Sequence, residues 1–344
     1  MICKSTYIEI TNRCNLDCRD CYNSSGRNKQ TVELDLGVLL KYIEDLIVIY
    51  KVRSVTFSGG EPLLYSKIDD LLEALSEYTS KFPGVVFNFV TNGTLYNKKF
   101  YDLLENNARF MVQISLDGPN EESCASMRGA GTFTKVVNNV SQRKFFNKPV
   151  FKMIINKSNA SFAEEYFHFV YDKLGGEPSF AFANYQGNAI QNWKEMDLLP
   201  SEKAKILRMV QQKYKEHNIT DIALPLPTVH CDLTDEDGAR DFCIKPDGSM
   251  QPCQNLYDSR FSLGNINELD WESVESNVNK LREHLVKRLE MDYGCKKCFL
   301  IRNCGRGCPA FAFMRSGDLL FSDEECDFKR VAMISVIKTE KGIK

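Results

Sequence analysis

Three cysteines, Cys14, Cys18 and Cys21, stand at C-x3-C-x2-C spacing directly after the short apolar run Tyr7–Ile10. Three thiolates on one tight loop hold three corners of a cubane iron–sulfur cluster and leave the fourth iron without a protein ligand. An open metal position marks a catalytic site, as a closed coordination sphere marks a structural one. Zinc sites use paired C-x2-C units and bacterial ferredoxins use C-x2-C-x2-C; a loop of either kind is the alternative reading of this stretch.

The cysteine count extends the argument. Thirteen cysteines in 344 residues fall mostly in tight, metal-type spacings, which does not suit a secreted disulfide scaffold. The N-terminus, Met1-Ile2-Cys3-Lys4-Ser5, lacks a basic-then-apolar signal. No run approaches the roughly 18 apolar residues of a membrane span. A cytoplasmic, reducing location is therefore expected, with no membrane partner. Net charge is −2, from 44 basic and 46 acidic residues, and no basic block offers a footprint for nucleic acid. The length fits one large domain plus a smaller one.

The first half alternates strand-like and helical patterns. Strands are expected at Tyr7–Ile10, Ser54–Phe57, Val85–Val90, Arg109–Ser115, Val150–Ile155 and Ser179–Ala183. Helices are expected at about 32–50, 66–81, 97–107, 133–145 and 161–174. This is an α/β chain with a parallel sheet and right-handed crossovers. Short strands with polar ends suit a barrel or partial barrel, whose ligands gather at the C-terminal strand ends. Polar motifs do follow the strands: the cysteine loop, then Ser58-Gly59-Gly60-Glu61-Pro62, then Thr91-Asn92-Gly93-Thr94, then Ser115-Leu116-Asp117-Gly118-Pro119. Glycines permit close backbone approach, and Glu61 can pair with an ammonium. Each motif also reads as an ordinary turn.

Past residue 195 the pattern changes. Ser201 is a candidate cap for a helix running to about His217, and Leu224-Pro225-Leu226-Pro227 reads as an extended linker. Cys243 and Cys253 bracket a hairpin with a Pro-Asp-Gly turn, and Cys295, Cys298, Cys304 and Cys308 stand at C-x2-C-x5-C-x3-C, followed by Cys326. A zinc knuckle is one reading of four close cysteines. With Cys231 the eight thiols are enough for two cubanes. The expected division is 1–195, 196–228 as helix and linker, 229–330 as a Cys-rich domain, and 331–344 as a tail.

The cysteine loop, followed one β/α unit later by Gly-Gly-Glu-Pro, resembles the radical SAM superfamily, and the later cysteines resemble its SPASM extension. The resemblance implies a partial (β/α)6 TIM-like barrel, a small SPASM domain, S-adenosylmethionine (SAM) and three 4Fe-4S clusters. It assigns Cys14, Cys18 and Cys21 to the SAM-binding cluster. It implies Gly59, Gly60 and Glu61 for the SAM amino group, Ser115 and Asp117 for ribose or carboxylate, Asn92 beside them, and Arg128 for the carboxylate. The loop Tyr185–Ala189 resembles one lining the adenine side. Cys295, Cys298, Cys304 and Cys326 would hold one auxiliary cluster, and Cys253, Cys308, Cys231 and Cys243 the other. The family usually has an aromatic residue before the third cysteine; here that residue is Asp20, with Tyr22 one place late.

The implied function is hydrogen abstraction by a 5′-deoxyadenosyl radical, with modification of a ribosomally made peptide by crosslinking, epimerisation or oxidation as the leading reading. Electrons would come from a flavodoxin or ferredoxin. Because the chain starts at the first barrel strand, either a separate recognition protein or leader-independent binding is expected. The alternatives are formylglycine formation of the sulfatase-maturase type, dehydrogenation or epimerisation of a sugar or alcohol, and a zinc or electron-transfer protein. Against formylglycine formation, Gln254 follows Cys253 where that subfamily has a basic aspartate. Cys124, expected in a loop on the active face, is a candidate hydrogen-atom donor. Tyr257 and Asp258 are candidates for the substrate side.

Overall fold

The computed structural model describes residues 2–26, 30–227, 230–235, 239–291, 295, 297–300, 304–323 and 325–340. Six parallel strands run β1 Ile2–Thr11, β2 Ser54–Gly59, β3 Val86–Thr91, β4 Phe110–Ser115, β5 Val150–Ile155 and β6 Glu177–Phe182. They lie side by side in chain order, so each crossover helix covers its own neighbouring pair. Burial alternates along the strands. Phe87 and Phe89 on β3 are fully buried, while Val86, Asn88 and Val90 are only half-buried. The apolar rows form one aromatic layer beneath the helices, with Phe57–Phe89 ring centroids 5.0 Å apart and Phe89–Phe100 5.1 Å apart. The opposite rows are polar: Tyr7 and Glu9, Ser58, Asn88, Ser115, Lys152 and Ser179 share the concave face. A period of two thus separates a dry outer core from a polar interior.

The helices are α1 Leu36–Tyr50, α2 Ile68–Lys81, α3 Lys98–Asn106, α4 Glu121–Arg128, α5 Thr132–Val140, α6 Ala163–His168, α7 Ala189–Met196 and α8 Pro200–Glu216. Asp35, Asn97 and Asn120 cap α1, α3 and α4 by accepting from backbone N–H groups. The expected cap at Ser201 is corrected. Pro200 opens α8, and Glu202 reaches back to accept from Leu199 N at 2.8 Å, because a first-turn proline has no N–H to satisfy.

Strand β7, Ala239–Ile244, pairs in parallel with the free edge of β1. Strands β8, Ser249–Gln251, and β9, Gly264–Asn265, follow antiparallel. The order is therefore β6-β5-β4-β3-β2-β1-β7-β8-β9, one nine-stranded open sheet with β1 inside it. The expected boundary at 228/229 lies outside the described residues, and the sheet joins β1, before it in the chain, to β7, after it. Helices α9, Trp271–Glu290, α10, Pro309–Ser316, and α11, Cys326–Glu340, complete the chain. The tail expected from residue 331 is helical instead: Phe328 and Ala332 pack against Leu207 of α8. Among the described residues, no helix is long and apolar enough to cross a membrane.

Candidate active site

The cysteine loop leaves β1 at Thr11 and is gripped from three directions. Gly60 N donates to Thr11 O at 2.7 Å and Glu61 N to Arg13 O at 2.7 Å. A Cβ on Gly59 or Gly60 would overlap the carbonyls of Thr11 and Arg13. The close approach these glycines permit is thus to the root of the cysteine loop itself. The Glu61 carboxylate is fully buried. It accepts from Thr91 Oγ1 at 2.7 Å, Leu63 N at 3.2 Å and Asn92 N at 2.7 Å. Burial raises its pKa to about 7 against the pull of these hydrogen bonds. Its side chain ties the end of β2 to the end of β3. Asn92 continues the chain of contacts: Nδ2 donates to Asn15 Oδ1 at 2.9 Å and lies 3.9 Å from Cys14 Sγ.

The second grip comes from α4. Arg128 ends that helix, and Arg19 N donates to Met127 O at 3.0 Å. Arg128 Nε pairs with Asp117 Oδ2 at 2.6 Å, and its Nη1 lies 3.8 Å from Cys18 Sγ. Asp117 is fully buried, and its Oδ1 accepts from Ile154 N at 2.8 Å. Ser115 stands on the concave face opposite Lys152. The third grip is the loop after β6. Asn188 N donates to Cys21 O at 2.9 Å, and Asn188 Nδ2 donates to Cys18 O at 2.9 Å. Gly187 has φ +56°, and any Cβ there would overlap the Cys21 and Tyr22 carbonyls. Beside it, Gln186 is buried with its Nε2 unpartnered.

Burial pushes the Cys14 thiol up to about 11 and raises Cys18 and Cys21 as well. Cys18 also feels the charges of Cys14 and Cys21, with Arg128 opposing part of the shift. Asp20, raised to about 6 by burial and then by Asp117, belongs to the same charge cluster. Among the described residues, no three cysteine sulfurs lie mutually within 4.8 Å. Three thiols on one loop are a donor set that can hold three corners of a cubane iron–sulfur core. The orphaned Gln186 amide, the Arg128 guanidinium and the Asn92 amide supply polar groups around it, and together these residues fit a cubane with an amino-acid sulfonium cofactor.

In the second half, Cys231, Cys243 and Cys308 each feel the charge of Cys253. Cys231, Cys253 and Cys308 also share one hydrophobic cluster with Leu233, Leu256 and Leu285. Both upstream cysteines are thus near Cys253. Cys298 N donates to Cys295 O at 2.9 Å, and Cys304 feels the charge of Cys326. The fold here is pinned by buried charge. Arg288 donates to Gly307 O and Arg306 O at 2.7 Å, and Lys329 pairs with Asp323, which accepts from Cys308 N at 2.8 Å.

Two expectations change. Cys124 lies on α4, fully buried in the main core, with Sγ directed at Gly118 O at 3.5 Å. Burial pushes its thiol up to about 12, and it packs as an apolar residue instead of facing the interior. Tyr22 turns into the barrel, where its hydroxyl donates to Glu9 Oε1 at 2.6 Å, and Tyr257 donates to Glu9 Oε2. Glu9 is a buried acid that sequence reasoning passed over. Its one signal is the charged residue interrupting Tyr7-Ile8-Glu9-Ile10.

Residues 8–155 match the Radical SAM superfamily. The chain is 27% identical over 292 residues to the sporulation killing factor maturation protein SkfB of Bacillus subtilis, covering 81% of this chain and 66% of that protein. It is 24% identical over 326 residues to a cysteine-type anaerobic sulfatase-maturating enzyme of Clostridium perfringens, covering 86% of this chain and 85% of that one. In structure it resembles native anSMEcpe with bound AdoMet at a TM-score of 0.75 and 21% identity, covering 98% of this chain and 100% of that one. The chain therefore spans just under two thirds of the length of SkfB.

Proposed function

We propose that this chain, an enzyme whose residues 8–155 are a radical SAM domain, modifies a peptide substrate and carries three 4Fe-4S clusters. The cluster at Cys14, Cys18 and Cys21 and the SAM beside it supply, when bound, the 5′-deoxyadenosyl radical that takes hydrogen from an unreactive C–H bond. The protein's part is to bind, orient and exclude water. Arg128, held by its pair with Asp117, would offer a guanidinium fork to the cofactor's carboxylate. Ser115, Asn92 and Gln186 offer the remaining hydrogen-bonding groups. Glu61 acts through Asn92 and the loop backbone, since three protein donors already occupy its oxygens.

One observation carries the reading of a two-part machine. Strand β1 ends in the cysteine loop, and its other edge is paired with β7, where Cys243 stands opposite Tyr7. Cys243 thereby stands on β7 beside the polar interior, which supports a cluster at Cys231, Cys243, Cys253 and Cys308 serving a substrate held there. The names of SkfB and the sulfatase-maturating relative support a polypeptide substrate. Formylglycine formation is the second reading, favoured by the likeness to the sulfatase-maturating enzyme and disfavoured by Gln254. A flavodoxin or ferredoxin as reductant completes the proposal.

Anaerobic reconstitution followed by reduction with SAM present tests the core of it. About twelve irons per chain and release of 5′-deoxyadenosine are expected. Absence of 5′-deoxyadenosine from fully loaded protein rejects the reading. Mass spectrometry of peptides encoded beside the gene separates the two outcomes: loss of two hydrogens marks a crosslink, and exchange of a thiol for an aldehyde marks formylglycine.

A further inference from the structure

Lys152 is the charge in the interior that the chemistry above leaves unused. It stands on β5 with Ser115 of β4 and Ser179 of β6 as its cross-strand neighbours. Its Nζ donates to Ser179 Oγ at 3.2 Å. Among the described residues no carboxylate pairs with it, and burial alone acts on the ammonium, lowering its pKa. Holding a cation in a partly dry interior without a counter-charge is unfavourable, and folding gains nothing from it.

The other lysine of the same cavity is already neutralised. Lys203 lies 3.2 Å from Glu325 and 3.5 Å from Asp197. The cavity acid Asp323 is likewise matched, by Lys329. The wall's other two cations are Arg315 and Lys152, and among the described residues Lys152 has a neutral hydroxyl, that of Ser179, as its hydrogen-bond partner. That space measures about 210 Å³ and reaches from the concave face of β5 and β6 to Asn255, two residues past Cys253. Its wall carries Tyr185 and Trp193, whose rings meet edge to face at 5.5 Å, and Arg315 lies over both rings at 4.9 and 5.2 Å. The cavity therefore offers an apolar, aromatic shelf beside an ammonium.

We propose that Lys152 is the carboxylate receptor of the substrate cavity, so that the peptide enters with an acidic side chain or a free C-terminus directed at β5. This rests on the reading of the substrate as a peptide. The cofactor's own carboxylate is the competing source of the same chemistry. Arg128, held beside Cys18, is better placed for it.

The test uses reconstituted holoenzyme and four probes: SAM, decarboxylated SAM, N-acetyl-Gly-Trp-Glu-Gly-amide and its Gln counterpart, with the free-acid form of the Gln peptide as a further arm. Equilibrium binding is measured for the wild type, Lys152→Met and Lys152→Arg. The expected result is that a carboxylate-bearing peptide binds the wild type about tenfold more tightly than the neutral amide, as one charge-assisted hydrogen bond predicts. Lys152→Met erases that preference, Lys152→Arg restores most of it, and SAM affinity is retained in both. Differential reductive methylation, read by mass spectrometry, should show Lys152 shielded by the acidic peptide alone. Equal binding of acid and amide by the wild type overturns the proposal. So does a Lys152→Met defect confined to SAM and absent with decarboxylated SAM, which would give the lysine to the cofactor. Iron content and 5′-deoxyadenosine release in the same samples report separately on the radical SAM reading.

Discussion

Arg128 is the side chain on which the charge balance of the site turns. It neutralises a fully buried Asp117 and stands against Cys18. Replacing it with Met leaves an uncompensated buried carboxylate, which costs about 3–5 kcal/mol. Urea denaturation of Arg128→Met should show a loss of that order, and Asp117→Asn in the same chain should recover much of it, because an amide oxygen can still accept from Ile154 N. SAM affinity should not recover, which separates the two jobs of the residue. Gly187 is a second such position. Its positive φ and its contact with the Cys21 and Tyr22 carbonyls leave no room for a Cβ. Gly187→Ala should loosen the last cysteine's loop, and it is expected to retain less iron after gel filtration than the wild type. Neither partner was legible beforehand: the sequence marks Arg128 and the Tyr185–Ala189 loop as candidates, but that one closes on Cys18 and the other on Cys21 depends on chain segments far apart in sequence.

At the scale of elements, the strands were readable because each carries a buried row that alternates with a polar one. Val150–Ile155 forms β5 with the expected bounds, four other core strands fall within two residues of theirs, and β1 starts five residues earlier than expected, at Ile2. The second half was less readable. Helix α9 carries Trp271, Val274, Val278, Leu281 and Leu285 at three- and four-residue steps, but α11 shows no such stripe, so its packed face is defined by what meets it. Phe328 of α11 meets Phe182 edge to face at 5.2 Å and closes over Leu207. Phe328→Ala should cost about 3 kcal/mol or more, measured as a lowered thermal midpoint. The hairpin β7–β8 places Cys243 within reach of Cys253, and Cys231 is a neighbour of both Cys253 and Cys308. Cys231→Ser and Cys243→Ser should each lower the iron content by about four atoms while leaving the first cluster's spectrum in place. An unchanged count in either variant would remove that cysteine from the ligand set.

At the scale of the molecule, the decisive feature is that β1 is an interior strand. Its two edges bind β2 and β7, and its end launches the cysteine loop. A fragment of residues 1–228 would present a long unpaired β1 edge beside a polar interior with no cover, the arrangement that favours edge-to-edge association. It should be less soluble than the full chain, as a sedimentation assay would show, and addition of chelator to the full chain should not reproduce the effect. The domain division expected from composition is silent on the pairing of β1 with β7.

The sequence by itself determined the local chemistry: three thiols on one loop, glycines beside it, alternating strands, and enough later cysteines for further clusters. These are properties of spacing, and spacing is written along the chain. Only the tertiary structure decided that Glu61 is tied up by its own neighbours, that Cys124 is core, that Glu9 is clasped by two tyrosines, and that Lys152 faces a cavity with no carboxylate paired to it among the described residues. Each of those depends on which side chains arrive from other strands, and pairing between β1 and a strand more than two hundred residues away leaves no periodic trace in either segment.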